Sequence, residues 1–402
     1  MKKVKIGLFV LIILGTISLG LTYKNNNEVT KTKRRKQNNL AIMIKEDGAE
    51  DYIKSSSKDI PKGNYLLNRD KSYCKNNGVI GDYDNTLGKV SFSFIGTDSC
   101  YLYFDYEVPS ITIETLMTPN NTNIFDENGL RYEGANPNNY ICLDNQKSGS
   151  CTSSSLLFRI IGLFAEEYSL DGRTSSGTKK LLKVIDTNNY GGTSGKYWDS
   201  NAKNNWSTAS LKTELNGTYL TTLLGTSNVN SKLSSGIANA KWHLGGASDV
   251  NIETLTTEGI YTAERNIRAI YNGNPSSIYA KVGLMYPSDY GYATDGGTMT
   301  NKSSCRSKEL YNWDGSSFSY CKNNDWLYTS QVVSWGSNKY EWLLSPYSSN
   351  SVSAALLVSP GFVNRSSVGT SRLAVRPAFY LDSSVLKIVG GSGTSDDPYH
   401  IG

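Results

Sequence analysis

Residues Leu156–Phe164 read Leu-Leu-Phe-Arg-Ile-Ile-Gly-Leu-Phe, and Lys180–Thr187 read Lys-Leu-Leu-Lys-Val-Ile-Asp-Thr. Each is a short apolar run bounded by turn-forming residues, the pattern of a strand buried in a core. Glu341–Pro346 (EWLLSP), Ser353–Val363 (SAALLVSPGFV, turning at Pro360-Gly361) and Leu373–Leu381 (LAVRPAFYL) add further strand–turn–strand patterning. Trp206–Leu223 (WSTASLKTELNGTYLTTL) differs. There Ser207 or Thr208 can cap a helix, Leu211 and Leu215 share one face, and Asn216-Gly217 offers a stop. Ala263–Tyr271 is a weaker helix or strand candidate, and Lys281–Ala293 (KVGLMYPSDYGYA) reads as a short strand entering a tight aromatic loop. Short strands, scattered turns and one or two helices imply an α+β, β-rich main domain of antiparallel strands over residues 129–388.

Upstream, Lys89–Gly96 and Cys100–Val108 alternate apolar and polar residues at period two, so residues 61–108 read as a small disulfide-linked β module. Residues 109–128 read as a connector and 23–60, rich in Asn, Lys and Ser, as a polar tether. The Gly- and Ser-rich end, 389–402, reads as a flexible tail.

Ahead of the tether, Lys2, Lys3 and Lys5 precede an apolar run from Ile6 to Leu21. Residues 1–22 therefore read as an export signal, an uncleaved anchor being favoured over a cleaved signal peptide. This places residues 6–21 in the cell membrane and the main domain outside the cell. The six cysteines, all downstream, agree with an oxidising exterior. Their spacing suggests three local pairs, Cys74–Cys100, Cys142–Cys151 and Cys305–Cys321. A metal site is disfavoured by the lack of a Cys-x-x-Cys and by having two histidines, His243 and His400.

The net charge of +5 misleads. Residues 1–36 hold nine Lys/Arg against one acid, Glu28, and the remainder holds 32 against 35. The folded part is mildly acidic, which argues against nucleic acid as a partner.

The segments WSTASLKTELNGTYL, KVGLMYPSDYGYA, CKNNDWLY (Cys321–Tyr328), EWLLSP and AVRPAFYL, in this order, resemble a family of uncharacterised bacterial surface-protein domains. The resemblance covers roughly 129–388. LNRDKSYCKNNG (Leu67–Gly78) with CYLYFDY is similar to a module that accompanies that domain. The family supplies no activity to carry over. The order Trp-Leu-Leu-Ser-Pro, hairpin, Val-Arg-Pro also resembles the C-terminal half of C-type-lectin-like folds, nearest to formylglycine-generating-enzyme relatives. That resemblance implies a core role for Trp342 and a structural role for Arg376, and Trp206 and Trp326 are taken as core with them. It transfers no catalysis, because the catalytic members need a C-terminal cysteine pair and no cysteine follows Cys321.

No Gly-x-Ser-x-Gly elbow, His-Glu-x-x-His or complete phosphate loop occurs, so nucleophilic, zinc and phosphoryl chemistry lack their motifs. No cofactor is called for. Asp- and Asn-rich loops leave room for calcium, but Asp82 and Asp84 break the calcium-loop pattern at the next ligand position. Asp289, Asp325 and Glu341 stand out as acids flanked by aromatics. Twenty-seven tyrosines against ten phenylalanines suit an exposed recognition surface. Tyr286, Asp289, Tyr290, Tyr292 and Tyr347 are accordingly the candidate ligand-binding residues. The leading expectation is a non-catalytic, membrane-tethered binding protein for a glycan, a wall polymer or a host protein. The alternatives are an envelope scaffold that binds another envelope protein and a carboxylate-dependent glycan or peptidoglycan hydrolase.

Overall fold

The computed structural model describes residues 38–46, 49–107, 110–119, 123–313, 315–328, 333–335, 338–358 and 361–402. The expected anchor at residues 6–21 and its basic flank lie outside these residues. Among those described, no helix is long and apolar enough to cross a membrane. The protein is α+β and β-rich, with 34% strand against 20% helix. It divides into two compact units, Met1–Glu107 and Val108–Gly402.

The first unit is built on β1 (Asn39–Lys45), which runs parallel to β7 (Ser99–Tyr106) along its full length. β2 (Ile53–Lys54) flanks β1, while β3 (Tyr65–Leu67) and β4 (Tyr73–Cys74) pair with β7. β5 (Val79–Asp84) and β6 (Lys89–Ser93) form a separate hairpin. Cys100, Leu102 and Phe104 are buried, at the period of two read from the sequence. Cys74 lies directly opposite Cys100 and is bonded to it. The expected tether is corrected here. Leu40, Ile42 and Ile44 alternate into the small core, so the unit begins at least by Asn39 rather than at residue 61. Long-range pairing with β7, invisible in the local Asn/Lys/Ser composition, orders this segment.

The second unit holds an eleven-stranded sheet around the long hairpin of β11 (Leu157–Tyr168) and β12 (Gly177–Asp186). β20 (Pro377–Asp382) and β15 (Val282–Leu284) extend it beyond β12. On the other side come β10 (Tyr140–Cys142), β22 (Tyr399–Ile401) and β21 (Ile388–Gly390). Two antiparallel pairs also attach to β11, the hairpin of β8 (Ile124–Asp126) with β9 (Leu130–Tyr132) and the pair of β13 (Ala240–His243) with β14 (Ser277–Ala280). A Cβ at Gly162 would meet the Leu130 carbonyl at 2.5 Å, so only glycine lets β9 approach the bulge in β11. A four-stranded sheet comprises β16 (Val333–Trp335), β17 (Asn338–Pro346), β18 (Ser353–Val358) and β19 (Phe362–Ser367).

The described residues contain eight short α-helical segments, more than the one or two expected. α1 (Ile113–Leu116), capped by Thr112, buries Ile113 and Met117. With β8 it corrects the connector reading of 109–128. α2 (Ser210–Glu214) runs through a π turn, Leu215–Tyr219, into α3 (Leu220–Leu224). Its first turn is capped from afar: Asp199 accepts from the Ser210 N–H, in place of a local cap by Ser207 or Thr208. Asn216-Gly217 does not stop it. The Asn216 side chain instead accepts from the Lys281 and Val282 N–H groups and donates to the Val282 carbonyl, docking the helix on β15. α4 (Leu233–Gly236), α5 (Thr257–Arg265), α6 (Pro287–Ala293), α7 (Met299–Ser307) and α8 (Ser319–Asn323) complete the set.

The tail reading of 389–402 is also corrected. His400 is wholly buried, with Nδ1 3.1 Å from Asp144 and Nε2 2.9 Å from the Gly149 carbonyl. Asn230 donates to the Ile401 carbonyl. Cys142–Cys151 staples the loop that receives this segment, and Cys305–Cys321 joins α7 to α8, so all three expected disulfides form.

Candidate functional site

The turn of the β8–β9 hairpin is Glu127-Asn128-Gly129, closed by the Glu127 N–H on the Gly129 carbonyl. Asn128 and Gly129 take positive φ of 54° and 117°, a backbone that Asn and Gly tolerate best. This turn forms one wall of a cleft of about 280 Å³. Glu258 from the first turn of α5, Tyr292 from α6 and Arg306 from the last turn of α7 form the rest.

Hydrogen bonds tie the walls together. Tyr292 donates its hydroxyl to Glu258, and Asn128 Nδ2 donates to Glu258 Oε2 at 2.7 Å and to the Tyr292 hydroxyl at 2.8 Å. Arg306 Nη2 donates to Glu127 Oε2 at 2.6 Å, and the same guanidinium donates to the Gly291 and Tyr292 carbonyls. The Tyr292 ring lies near two cations, with the Arg131 guanidinium 4.7 Å and that of Arg306 5.1 Å from its centroid.

Beneath the cleft lies a carboxyl pair. The Glu133 side chain is 0% exposed and that of Glu127 24%, so only Glu127 meets solvent. Lys302 Nζ is 2.5 Å from Glu133 Oε2 and 3.3 Å from Glu127 Oε1, and Arg306 Nη2 is 3.1 Å from Glu133 Oε1. Despite these contacts, neither Glu133 oxygen has a well-directed hydrogen bond. Burial, and then the neighbouring Glu127 carboxylate, push Glu133 up to about 9 against the pull of Arg306 and Lys302. Burial also raises Glu127, but its contact with the protonated Glu133 and the Arg306 and Lys302 cations outweigh it and hold Glu127 down to about 2. The pair thus keeps one proton, on its buried member.

A second cluster centres on Asp289. Its Oδ1 accepts from Arg131 at 2.9 Å and its Oδ2 contacts Lys183 Nζ at 2.5 Å and accepts the Tyr286 N–H at 2.8 Å. Lys183 Nζ also lies 4.2 Å from the Tyr286 ring centroid. Burial opposes ionisation of Asp289, but Lys183 and Arg131 prevail and hold it down to about 2. All three side chains are sealed from solvent.

The expected recognition loop is therefore corrected. Tyr286, Asp289, Tyr290 and Tyr292 are brought together, but on α6, a helix with every residue buried, and on its N-cap, Tyr286. Tyr286 accepts the His243 N–H, and Tyr290 donates to the Gly361 carbonyl and packs on Trp313. Their hydroxyls find partners inside, so the rings add core area without stranding a polar atom. Tyr292 alone of the candidates lines the cleft. Tyr347 is buried elsewhere, with Arg365 over its ring. Trp206, Trp326, Trp342 and Arg376 are buried, and Arg376 forks onto Glu341 at 2.7 and 2.9 Å. That pairing occupies Glu341. Asp325 is buried and accepts from the Leu327 and Tyr328 N–H groups. Neither acid opens on the cleft.

Sequence reading missed Glu127, Asn128, Glu133, Glu258, Lys302 and Arg306. An Asn-Gly turn between short apolar strands signals part of this site, but the expected boundary between residues 128 and 129 divides it. Nothing local marked the other four. Among the described residues, one cluster offers three metal-type ligands: Cys142, Asp144 and Cys151. Its two sulfurs are bonded to each other, and Asp144 already accepts from the Gln146 and Thr152 N–H groups. These donors do not fit a cation. Comparisons with family models, curated proteins and solved structures found no match for this chain.

Proposed function

We propose that this is a membrane-tethered surface protein whose larger unit binds a hydroxyl-rich ligand, a glycan or wall polymer, without catalysis. The cleft of Glu127, Asn128, Glu258, Tyr292 and Arg306 carries the reading. Planar carboxylate, amide and guanidinium groups held rigidly beside a tyrosine suit a ligand made of hydroxyls, because each group can meet two of them in a fixed geometry. The apolar segment at 6–21 and three disulfides support an exterior address. A binding role fits better than hydrolysis: the acid that keeps its proton, Glu133, is fully buried and cannot touch a ligand. Glycan and wall-polymer arrays probed with oxidised residues 38–402 test the reading. A hit weakened at least tenfold by Asn128→Ala or Glu258→Ala supports it. Binding indifferent to both substitutions, or none by folded protein, rejects it.

A specific observation favours the scaffold alternative for the smaller unit. Ile53, Val79 and Ile95 are 69, 62 and 87% exposed there, an apolar load that suits a protein partner better than a sugar. Cross-linking and pull-down from the membranes of the source cells would test it. Recovery of one stoichiometric partner, lost on Ile95→Lys with Val79→Lys, would support a scaffold role.

A further inference from the structure

We propose that Lys302 and Glu133 are the two ends of an intramolecular amide cross-link, formed by the folded chain on itself with loss of one water. The inference does not depend on what the cleft binds.

Amide formation needs an amine held against a carboxyl group, a base for the amine proton, a cation for the developing oxyanion, and little competing water. Four side chains supply these parts. Lys302 Nζ lies 2.5 Å from Glu133 Oε2, yet neither Glu133 oxygen is engaged in a well-directed hydrogen bond. A buried carboxyl left in that state calls for an explanation, and a poised reactant pair is one. Glu127 Oε1, 3.3 Å from Nζ, is placed to take the amine proton. Arg306 Nη2, 3.1 Å from Glu133 Oε1, is placed to hold the negative oxygen of the tetrahedral intermediate. The Phe125 ring lies 3.8 Å from Nζ and presents an apolar face to it. The proton retained by Glu133 keeps its carboxyl in the electrophilic acid form.

The step balances without any co-reactant. Lys302 passes a proton from its ammonium to the Glu127 carboxylate, and the freed amine attacks Glu133 Cδ. The C–N bond forms, and the oxyanion rests on Arg306. The nitrogen then sheds a second proton, the Cδ–OH bond breaks, and the hydroxyl takes that proton and leaves as water. Glu127 is left with the first proton and loses it to solvent through the cleft, where it is the exposed member of the pair. The Lys302 ammonium charge vanishes from the interior, its proton going to solvent, which removes the desolvation cost of that cation.

The bond would tie α7 to the end of β9. It would lie three residues from Cys305, the helix's other covalent tie, so that reductant alone could not release α7. The sealed Lys183–Asp289 contact lacks the same parts. Its carboxylate is held ionised by Arg131 and Lys183, and among the described residues no second carboxylate contacts Lys183 in a salt bridge.

Tryptic peptide mapping of the full chain, folded first and then denatured and reduced, decides the matter. The expected result is one branched species joining the peptides that bear Glu133 and Lys302, lighter than their sum by one water and uncut after Lys302. Linear peptides of full mass, with cleavage after Lys302, from protein shown to be folded by near-ultraviolet circular dichroism, would overturn the proposal. Lys302→Arg keeps the cation but offers no amine, and should yield separate peptides. A joined species in that variant would also overturn the assignment. Glu127→Gln should lower the yield of branched peptide at least tenfold, a change that a merely structural ion pair would not produce.

Discussion

Two clusters of buried charge in the larger unit make an instructive pair. Around Asp289, one carboxylate meets Arg131, Lys183 and a backbone N–H, with every member sealed from water. Around Glu133, two carboxyls meet Lys302 and Arg306, and Glu127 opens on a cleft. The first has satisfied its polar atoms and holds Asp289 ionised; its role is to knit α6 to β9 and β12. The second splits its two acids, one to about 9 and one to about 2, and leaves a buried carboxyl without a directed bond. Satisfied charge builds a fold, whereas unsatisfied charge beside solvent leaves chemistry to do.

The sharpest way to break this contrast is Asp289→Ala. It strands Lys183 and Arg131 in the core, and removing one partner of a buried pair costs about 3–5 kcal/mol. Urea denaturation should show that loss or a failure to fold. A loss below about 1 kcal/mol would mean that water reaches the cluster. Next in size is Cys305→Ala with Cys321→Ala. It releases a loop of 16 residues and should cost about 3 kcal/mol, while altering the cleft cluster on α7 more than the sealed one. Unchanged binding and unchanged stability would show that the disulfide does not hold α7.

Glu264 sharpens the comparison through pH. Burial pushes its carboxyl up to about 7, against Arg265 and the hydrogen bonds from Ser288, where 4.5 is ordinary. The folded state therefore holds more protons between those values. The stability that Glu264 contributes should be fully present below about 4.5 and be lost as pH rises from there through 7, by at most about 3 kcal/mol. Glu264→Gln should flatten that slope, and an unchanged slope would assign it to another group. The smallest effect is expected for Glu133→Gln in the Lys302→Arg background, where no amide can form and Glu133 remains a free acid. An amide replaces an acid that is already uncharged, so the cost should stay under about 1 kcal/mol. A loss as large as that of Asp289→Ala would show that Glu133 is ionised, and would erase the distinction between the clusters.

Much of the architecture was legible in particular residues. The β11–β12 hairpin, the alternation of Cys100, Leu102 and Phe104, and the three cysteine pairs follow from local pattern and spacing. The errors share one cause. β1, α1 and β22 have weak local signals and are ordered by partners far along the chain, and Asn216-Gly217 is carried through a helix by its bonds to β15. The cleft was the least legible feature. Its five lining residues come from four segments; Tyr292 alone stood among the expected binding residues, and of the rest only the Glu127-Asn128-Gly129 turn carried a local signal.

The sequence by itself determined the class of fold, the cysteine pairing and the apolar segment at the N-terminus. Short-range patterning and loop closure depend on residues near one another, which a linear reading can weigh. Tertiary structure alone decided which tyrosines lie inside and which acid keeps a proton. It also decided which polar groups share a cleft. Burial and Coulomb interaction depend on distance in space, and residues as far apart as Glu133 and Lys302 acquire that distance only when the chain folds.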